Sequence, residues 1–237
     1  MTSEHKQENP SLERAHFGLG CFWRVEALFG VQPGVVKTRV GYCGPAGPSP
    51  VYPSIPNHTE AVEVDYLPSV VTFSDLLRLF WKEASDCGCS KKLQYMTAVF
   101  YSRDSQKADA EKSREEYERE TGKKVEAKIL PLDTFHEAEN YHQKYFLRTY
   151  HGAFYEGLPK DDPITSTRNA KLNGFLSGHG NIQDFKENEP LLKLSDEQLC
   201  YVEEHITGKQ KPGIMIPFAR TVLKVTWHYV KTKITGK

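Results

Sequence analysis

Apolar positions along this chain fall into short runs whose spacing switches between two periods. Residues 14–20 form an apolar run after a polar start and predict a buried strand. Over residues 21–30 the apolar side chains stand at 22, 25, 28 and 29, a helical spacing, and Gly30 is expected to cap that helix at its C-terminal end. Residues 35–42 alternate, with Val36, Val40 and Tyr42 against Val35, Lys37 and Arg39, and residues 59–66 alternate again; each predicts a strand. Between them, residues 44–56 carry too many prolines and glycines for a helix or a central strand. A helix is expected from Phe73 to about Ala84, capped by Thr72 or Ser74, with Leu76, Leu77, Phe80 and Trp81 on one face.

Residues 86–90, Asp-Cys-Gly-Cys-Ser, break that helix. A strand over 96–101, a charged helix over 105–122 ended by glycine, a strand over 125–130 and an aromatic-rich helix over 137–147 follow. Alternation of strands and helices through residue 150 predicts an α/β-type sandwich with helices packed on a sheet. Residues 151–180 are rich in Gly, Pro, Ser, Thr and Asn, a helix is expected over 195–206, and residues 222–229 alternate. The expected organisation is a disordered polar tail over 1–13, a catalytic domain over 14–150, and an extension over 151–237 packed on it.

Composition narrows the function classes. Lysine plus arginine and aspartate plus glutamate both number 31 in 237 residues, so no net charge favours nucleic acid or an acidic membrane. The polar N-terminus lacks an apolar export signal and no run is long enough to span a bilayer, which predicts a cytoplasmic protein; a monomer is expected. Five cysteines, an odd number, point to reactive or packed thiols in a reducing compartment. Cys87-Gly88-Cys89 lacks a second Cys/His pair with zinc spacing, so no metal site is expected.

The candidate chemistry centres on Gly20-Cys21-Phe22-Trp23, where a strand passes through a glycine turn into a helix. Free cysteines more often pack than react. At a helix N-terminus, however, exposed N–H groups favour the thiolate, so Cys21 is expected to have a lowered pKa and to act as a nucleophile. Phe22 and Trp23 would wall an apolar pocket beside it.

Gly20-Cys21-Phe22-Trp23 with Glu26 resembles the signature of the A-type peptide methionine sulfoxide reductases. Three later segments are similar to the same family in the same order: Asn57-His58-Thr59-Glu60-Ala61-Val62, Leu93-Gln94-Tyr95, and Ala138-Glu139-Asn140-Tyr141-His142-Gln143-Lys144-Tyr145. The resemblance implies an α+β fold, a ferredoxin-like sandwich with a mixed sheet, here carrying an irregular or helical C-terminal extension. It implies reduction of methionine-S-sulfoxide, peptide-bound or free. Cys21 would attack the sulfur, Glu60 would protonate the oxygen, Tyr95 and Tyr52 would hydrogen-bond that oxygen, and Phe22 and Trp23 would hold the methyl group. A Cys21 sulfenic acid would then condense with a resolving thiol, Cys200 or Cys89, with Cys87 and Cys43 as further candidates. A thioredoxin-like protein or dithiothreitol would clear the disulfide, with no bound cofactor.

Two departures from the family pattern stand out. Arg24 replaces a glycine, and residues 86–92 replace a longer loop that carries an active-site aspartate, leaving Asp86 or Ser90 as substitutes. The alternative function is therefore an impaired member that binds oxidised methionine or a protein partner without turnover.

Overall fold

In the computed structural model, which describes residues 11–87, 90 and 92–209, the chain begins β1 (Glu13–Leu19), α1 (Phe22–Gly30), β2 (Val35–Gly44), β3 (Thr59–Tyr66), α2 (Phe73–Cys87) and β4 (Thr97–Tyr101). The four strands lie in the order β4-β1-β3-β2, all antiparallel, which is the ferredoxin-like βαββαβ arrangement. Helix α3 (Asp104–Thr121) leads to β5 (Lys128–Pro131), which joins β4 in parallel, and β6 (Thr134–Glu137) pairs antiparallel with β2. The result is a mixed six-stranded sheet in an α+β fold.

Residues on a strand alternate between faces, and the two faces of this sheet differ. Val62, Val64 and Tyr66 of β3 join Phe17, Phe29, Phe80 and Trp81 in the main core under the helices; Phe17 stacks on Phe29 with ring centroids 4.5 Å apart. Glu60 shares that face by the same period. The other face carries a smaller cluster of Cys43, Ala61, Met96, Ala98 and Phe100. Thr72 caps α2 reciprocally with Asp75: Asp75 N–H donates to Thr72 Oγ1 (3.2 Å) and Thr72 N–H donates to Asp75 Oδ2 (2.9 Å).

Two sequence expectations are corrected here. Residues 137–147 are not a helix: they hold the end of β6, a 3₁₀ turn (Asn140–His142), and the approach to a π-helical turn (Phe146–Tyr150), with Lys144 at φ 52°. Tertiary hydrogen bonds override the local pattern. Gln143 accepts from Val40 N–H (3.0 Å) and donates to Val40 O (2.9 Å) and Ala138 O (3.0 Å). Gly30, expected as a cap, lies inside α1, and Val31 follows as the cap residue. Its lack of a side chain serves packing, since a Cβ there would sit 2.5 Å from the carbonyl oxygen of Ala170.

That carbonyl belongs to the helical extension, α4 (Gly152–Glu156), α5 (Thr167–Phe175), α6 (Ile182–Leu192) and α7 (Asp196–Thr207). Phe154, Leu172, Phe175, Phe185, Leu192 and Val202 form a second core, reached from the sheet domain by Val31 and Leu147. Ser195 and Gln198 form the capping box that starts α7. Residues 1–10 and the alternating stretch 222–229 lie outside the described residues.

Glu26 and Lys144 form a fully buried ion pair that joins α1, β2 and the 143–144 turn. Lys144 Nζ donates to Glu26 Oε1 (2.6 Å) and Thr38 O (2.7 Å), and Lys144 N–H donates to Glu26 Oε2 (2.8 Å). Glu26→Ala would strand the ammonium without a partner, at a cost of about 3–5 kcal/mol. Urea unfolding should show this as a lower midpoint with an unchanged slope; an unshifted midpoint would refute the clamp.

Candidate active site

Strand β1 ends at Leu19, Gly20 turns the chain at φ 72°, and Cys21 sits at the N-cap of α1 with φ −62° and ψ 118°. Its side chain makes no cap hydrogen bond to α1, but the backbone N–H groups of Trp23 and Arg24 face the sulfur and favour its charged form. The thiol pKa nevertheless stands well above its usual range, pushed up to about 12, against the expectation of a lowered value. Burial is the main cause and the Glu60 carboxyl adds to it; the two N–H groups and the Arg24 cation act the other way and are outweighed. Cys21 remains partly exposed as a residue, yet enough protein surrounds its sulfur for desolvation to dominate.

Glu60, at the start of β3, is buried and held at both oxygens. Phe22 N–H donates to Oε2 (3.1 Å) and Gln94 Nε2 donates to Oε1 (2.7 Å). Burial raises its pKa to about 7, and these two bonds only partly offset the rise. Tyr95 closes the 3₁₀ turn Leu93–Tyr95, and its phenol is raised to about 12 by burial, then by Glu60, Tyr52 and Cys21. Cys21, Glu60, Tyr95 and Tyr52 therefore converge. At neutral pH the Cys21 thiol and the Tyr95 phenol carry protons, and the Glu60 carboxyl is poised between its two forms.

An aromatic cluster walls the site. Phe22 packs on Tyr42 (centroids 5.7 Å apart) and His142 (5.1 Å), and Trp23 stacks on Tyr145 at 3.6 Å with the rings 3° from parallel. Trp23 Nε1–H donates to His142 Nδ1 (3.2 Å), which places the imidazole proton on Nε2. Burial lowers the His142 pKa, so the ring is neutral. Tyr52 meets the edge of His142 at 5.0 Å, and its N–H donates to Glu139 Oε1 (2.8 Å). Tyr42 O–H donates to the other oxygen, Oε2 (2.9 Å).

Several of these residues carry no role in the sequence reading. Tyr42 reads there as one more apolar position of β2, and Gln94 only as part of the Leu93-Gln94-Tyr95 segment. Their partners lie 97 and 34 residues away in sequence, so no local pattern announces them. Both substitutes for the family's aspartate are exposed. Asp86 accepts from Lys123 Nζ (2.7 Å), and Ser90 Oγ accepts from Lys92 N–H (3.2 Å).

The resolving candidates are placed differently. Cys43 is buried in the cluster on the opposite sheet face. Cys87 is exposed at the end of α2. Cys200 lies on α7 of the extension, whose core touches α1 through Val31, at the end of the helix remote from Cys21. Cys89 lies outside the described residues. Among the described residues, no group of three or more His, Cys, Asp or Glu is placed to hold a metal, and no helix is long and apolar enough to cross a membrane. A concavity of about 480 Å³ opens between α2 and α3, lined by Arg78, Lys82, Tyr117 and Lys123 among others. Asp86 is on its wall, but Cys21, Glu60, Tyr95 and Tyr52 are not.

A family model described as peptide methionine sulfoxide reductase matches residues 13–171. A peptide methionine sulfoxide reductase of Drosophila melanogaster is 36% identical over 211 residues, covering 87% of this chain and 85% of the relative. The reductase MsrA of Methanothermobacter thermautotrophicus is 41% identical over 149 residues, covering 56% of this chain and 85% of its own. Among solved structures, methionine sulfoxide reductase A of Corynebacterium diphtheriae aligns with a TM-score of 0.50 at 28% identity, covering 60% of this chain and 76% of that one.

Proposed function

Because the chain belongs to the peptide methionine sulfoxide reductase family, an oxidoreductase family acting on methionine sulfoxide, we propose that Cys21 and Glu60 carry its chemistry, with Tyr95 and Tyr52 in support. A sulfoxide oxygen leaves poorly until it is protonated. Glu60 supplies that proton: its carboxyl, raised to about 7, is substantially protonated at neutral pH. The supporting observation is this proton-bearing carboxyl held by the N–H of Phe22, the residue directly after the thiol.

As the oxygen is protonated, the sulfoxide sulfur becomes electrophilic and Cys21 attacks it, losing its own proton. The N–H groups of Trp23 and Arg24 receive the charge that develops on the Cys21 sulfur. Tyr95 and Tyr52 donate to the oxygen. The S–O bond of the substrate breaks and its protonated oxygen leaves as water, giving an S–S bonded thiosulfonium; water then adds at the Cys21 sulfur as that S–S bond breaks, so methionine departs and Cys21 is left as a sulfenic acid. The substrate is reduced by two electrons and Cys21 is oxidised by two. A second thiol then displaces water to form a disulfide, and an external dithiol of the thioredoxin type, or dithiothreitol, returns Cys21 to the thiol.

Phe22 and Trp23 seat the methyl group. With the methyl, the oxygen and the line of attack each assigned a place, one hand of the chiral sulfoxide fits. We assign that hand as S, the epimer the family resemblance implies. A thiol-free single turnover tests this. About one methionine per chain should form from the S-sulfoxide and almost none from the R-sulfoxide, and dimedone should label Cys21. Equal yields from both epimers, or a label on another cysteine, would overturn the assignment.

A further inference from the structure

The loop that carries Tyr52 is poor in backbone donors. Pro45, Pro48, Pro50, Pro53 and Pro56 have no N–H, so at each of them only a carbonyl is left to grip. Two histidines grip such carbonyls at the two ends of the loop. His136, on β6, has Nε2 3.0 Å from Pro45 O and Nδ1 3.4 Å from Ser49 Oγ. His58, just before β3, has Nδ1 2.6 Å from Pro56 O. A carbonyl oxygen can only accept, so His136 Nε2 and His58 Nδ1 each carry a proton and donate it. In the neutral His136 ring, Nδ1 then accepts from the Ser49 hydroxyl. Both histidines are buried, and their rings meet edge to face with centroids 5.1 Å apart. Gly44 makes the room, since a Cβ there would sit 2.4 Å from His58 Cδ2.

The histidine pair stands on the side of the sheet that holds the thiol's partners. His136 lies opposite Tyr42 across β6 and β2, and Tyr42 lies opposite Glu60 across β2 and β3. Directly opposed residues share a face. Midway along the loop, Tyr52 N–H donates to Glu139 Oε1 (2.8 Å), and Ile55 packs with Phe22 and Tyr42. Those contacts fix where the middle of the loop sits. The gripped ends set the direction in which the chain reaches Tyr52, and hence where its hydroxyl points.

We propose that His136 and His58 are positioning residues of the reaction: each holds a proline carbonyl at one end of the 45–56 loop, and together they aim the Tyr52 hydroxyl at the sulfoxide oxygen. This rests on the proposed function, which gives Tyr52 that oxygen. Misplacing such a group by about 1 Å can cost on the order of 10²-fold in rate.

The test reads kcat for the full-length protein with free methionine-S-sulfoxide and dithiothreitol. His136→Leu removes the Pro45 and Ser49 contacts. In a Tyr95→Phe background, where Tyr52 is the tyrosine left to donate, it should lower kcat by about tenfold. In a Tyr52→Phe background no hydroxyl remains to be aimed, so the same change should cost less than about twofold. His58→Leu should follow the same pattern. His136→Gln should stay within about twofold of the wild type, because its amide keeps a donor where Nε2 stood. His136→Asn is too short to reach Pro45 O and should reproduce the loss in a variant milder on folding. Circular dichroism and the urea midpoint report whether each variant is folded.

Equal losses in the two tyrosine backgrounds, or no rescue by His136→Gln, would overturn the clamp and leave the chemistry of Cys21 and Glu60 standing. A Tyr52→Phe, Tyr95→Phe protein as active as the wild type would instead overturn the role of Tyr52, and the clamp with it.

Discussion

Cys21→Ser should reduce sulfoxide turnover to background, a loss on the order of 10⁴ to 10⁶, while the protein stays folded. A serine hydroxyl is far less nucleophilic and less polarisable than a thiol, and it has no counterpart of the sulfenic acid. The fold should tolerate the change, because Cys21 makes no side-chain cap of α1 and is partly exposed. Circular dichroism and an unshifted urea midpoint provide the control. A Cys21→Ser protein that still reduced sulfoxide at more than a hundredth of the wild-type rate would remove the nucleophile from the mechanism. Cys43→Ser should leave turnover almost intact, since that thiol is buried on the far face of the sheet.

Glu60→Gln should lower kcat/KM by about 10² to 10⁴, the usual worth of a positioned general acid. The sign of the pH dependence follows from the carboxyl. Protonated Glu60 donates; ionised Glu60 has no proton to give, and its charge also opposes the thiolate on Cys21. Wild-type kcat/KM should therefore be highest below about pH 7 and fall as pH rises through the raised pKa of Glu60. In the Gln variant that decline should vanish, leaving a low rate that is flat across the same range. Phe22 N–H can still donate to the amide oxygen, and Gln94 can turn its own amide to accept from the new NH2, so geometry is largely kept while the acidic proton is lost. A decline near pH 7 that persisted in Glu60→Gln would assign the titration to another group.

Both outcomes depend on one electrostatic balance. The helix N-terminus alone would favour a thiolate, but enclosure of the sulfur and the neighbouring carboxyl outweigh it in the unliganded protein. A resting thiol that ionises only as a bound sulfoxide takes up a proton is protected from unproductive oxidation, since the thiolate is the reactive form.

Much of the architecture was legible along the chain. Period-two alternation placed the strands of residues 35–42 and 59–66, and helical spacing placed the helix bearing Leu76, Leu77, Phe80 and Trp81, because burial of one face imposes those periods locally. The motif around Cys21, and Glu60 with it, were legible through resemblance to a known family and not through periodicity. Other features depend on partners far away in sequence. Gln143 and Lys144 leave the expected helix to bond Val40, Glu26 and Thr38. Gly30 answers to Ala170 in the extension, and Gln94 answers to Glu60. Whether Cys21 rests as thiol or thiolate, and which of the other cysteines lie near it, depend on desolvation and on distances through space. Sequence order carries the alternation that builds the sheet; only the assembled sheet and helices set how much water remains around each charge.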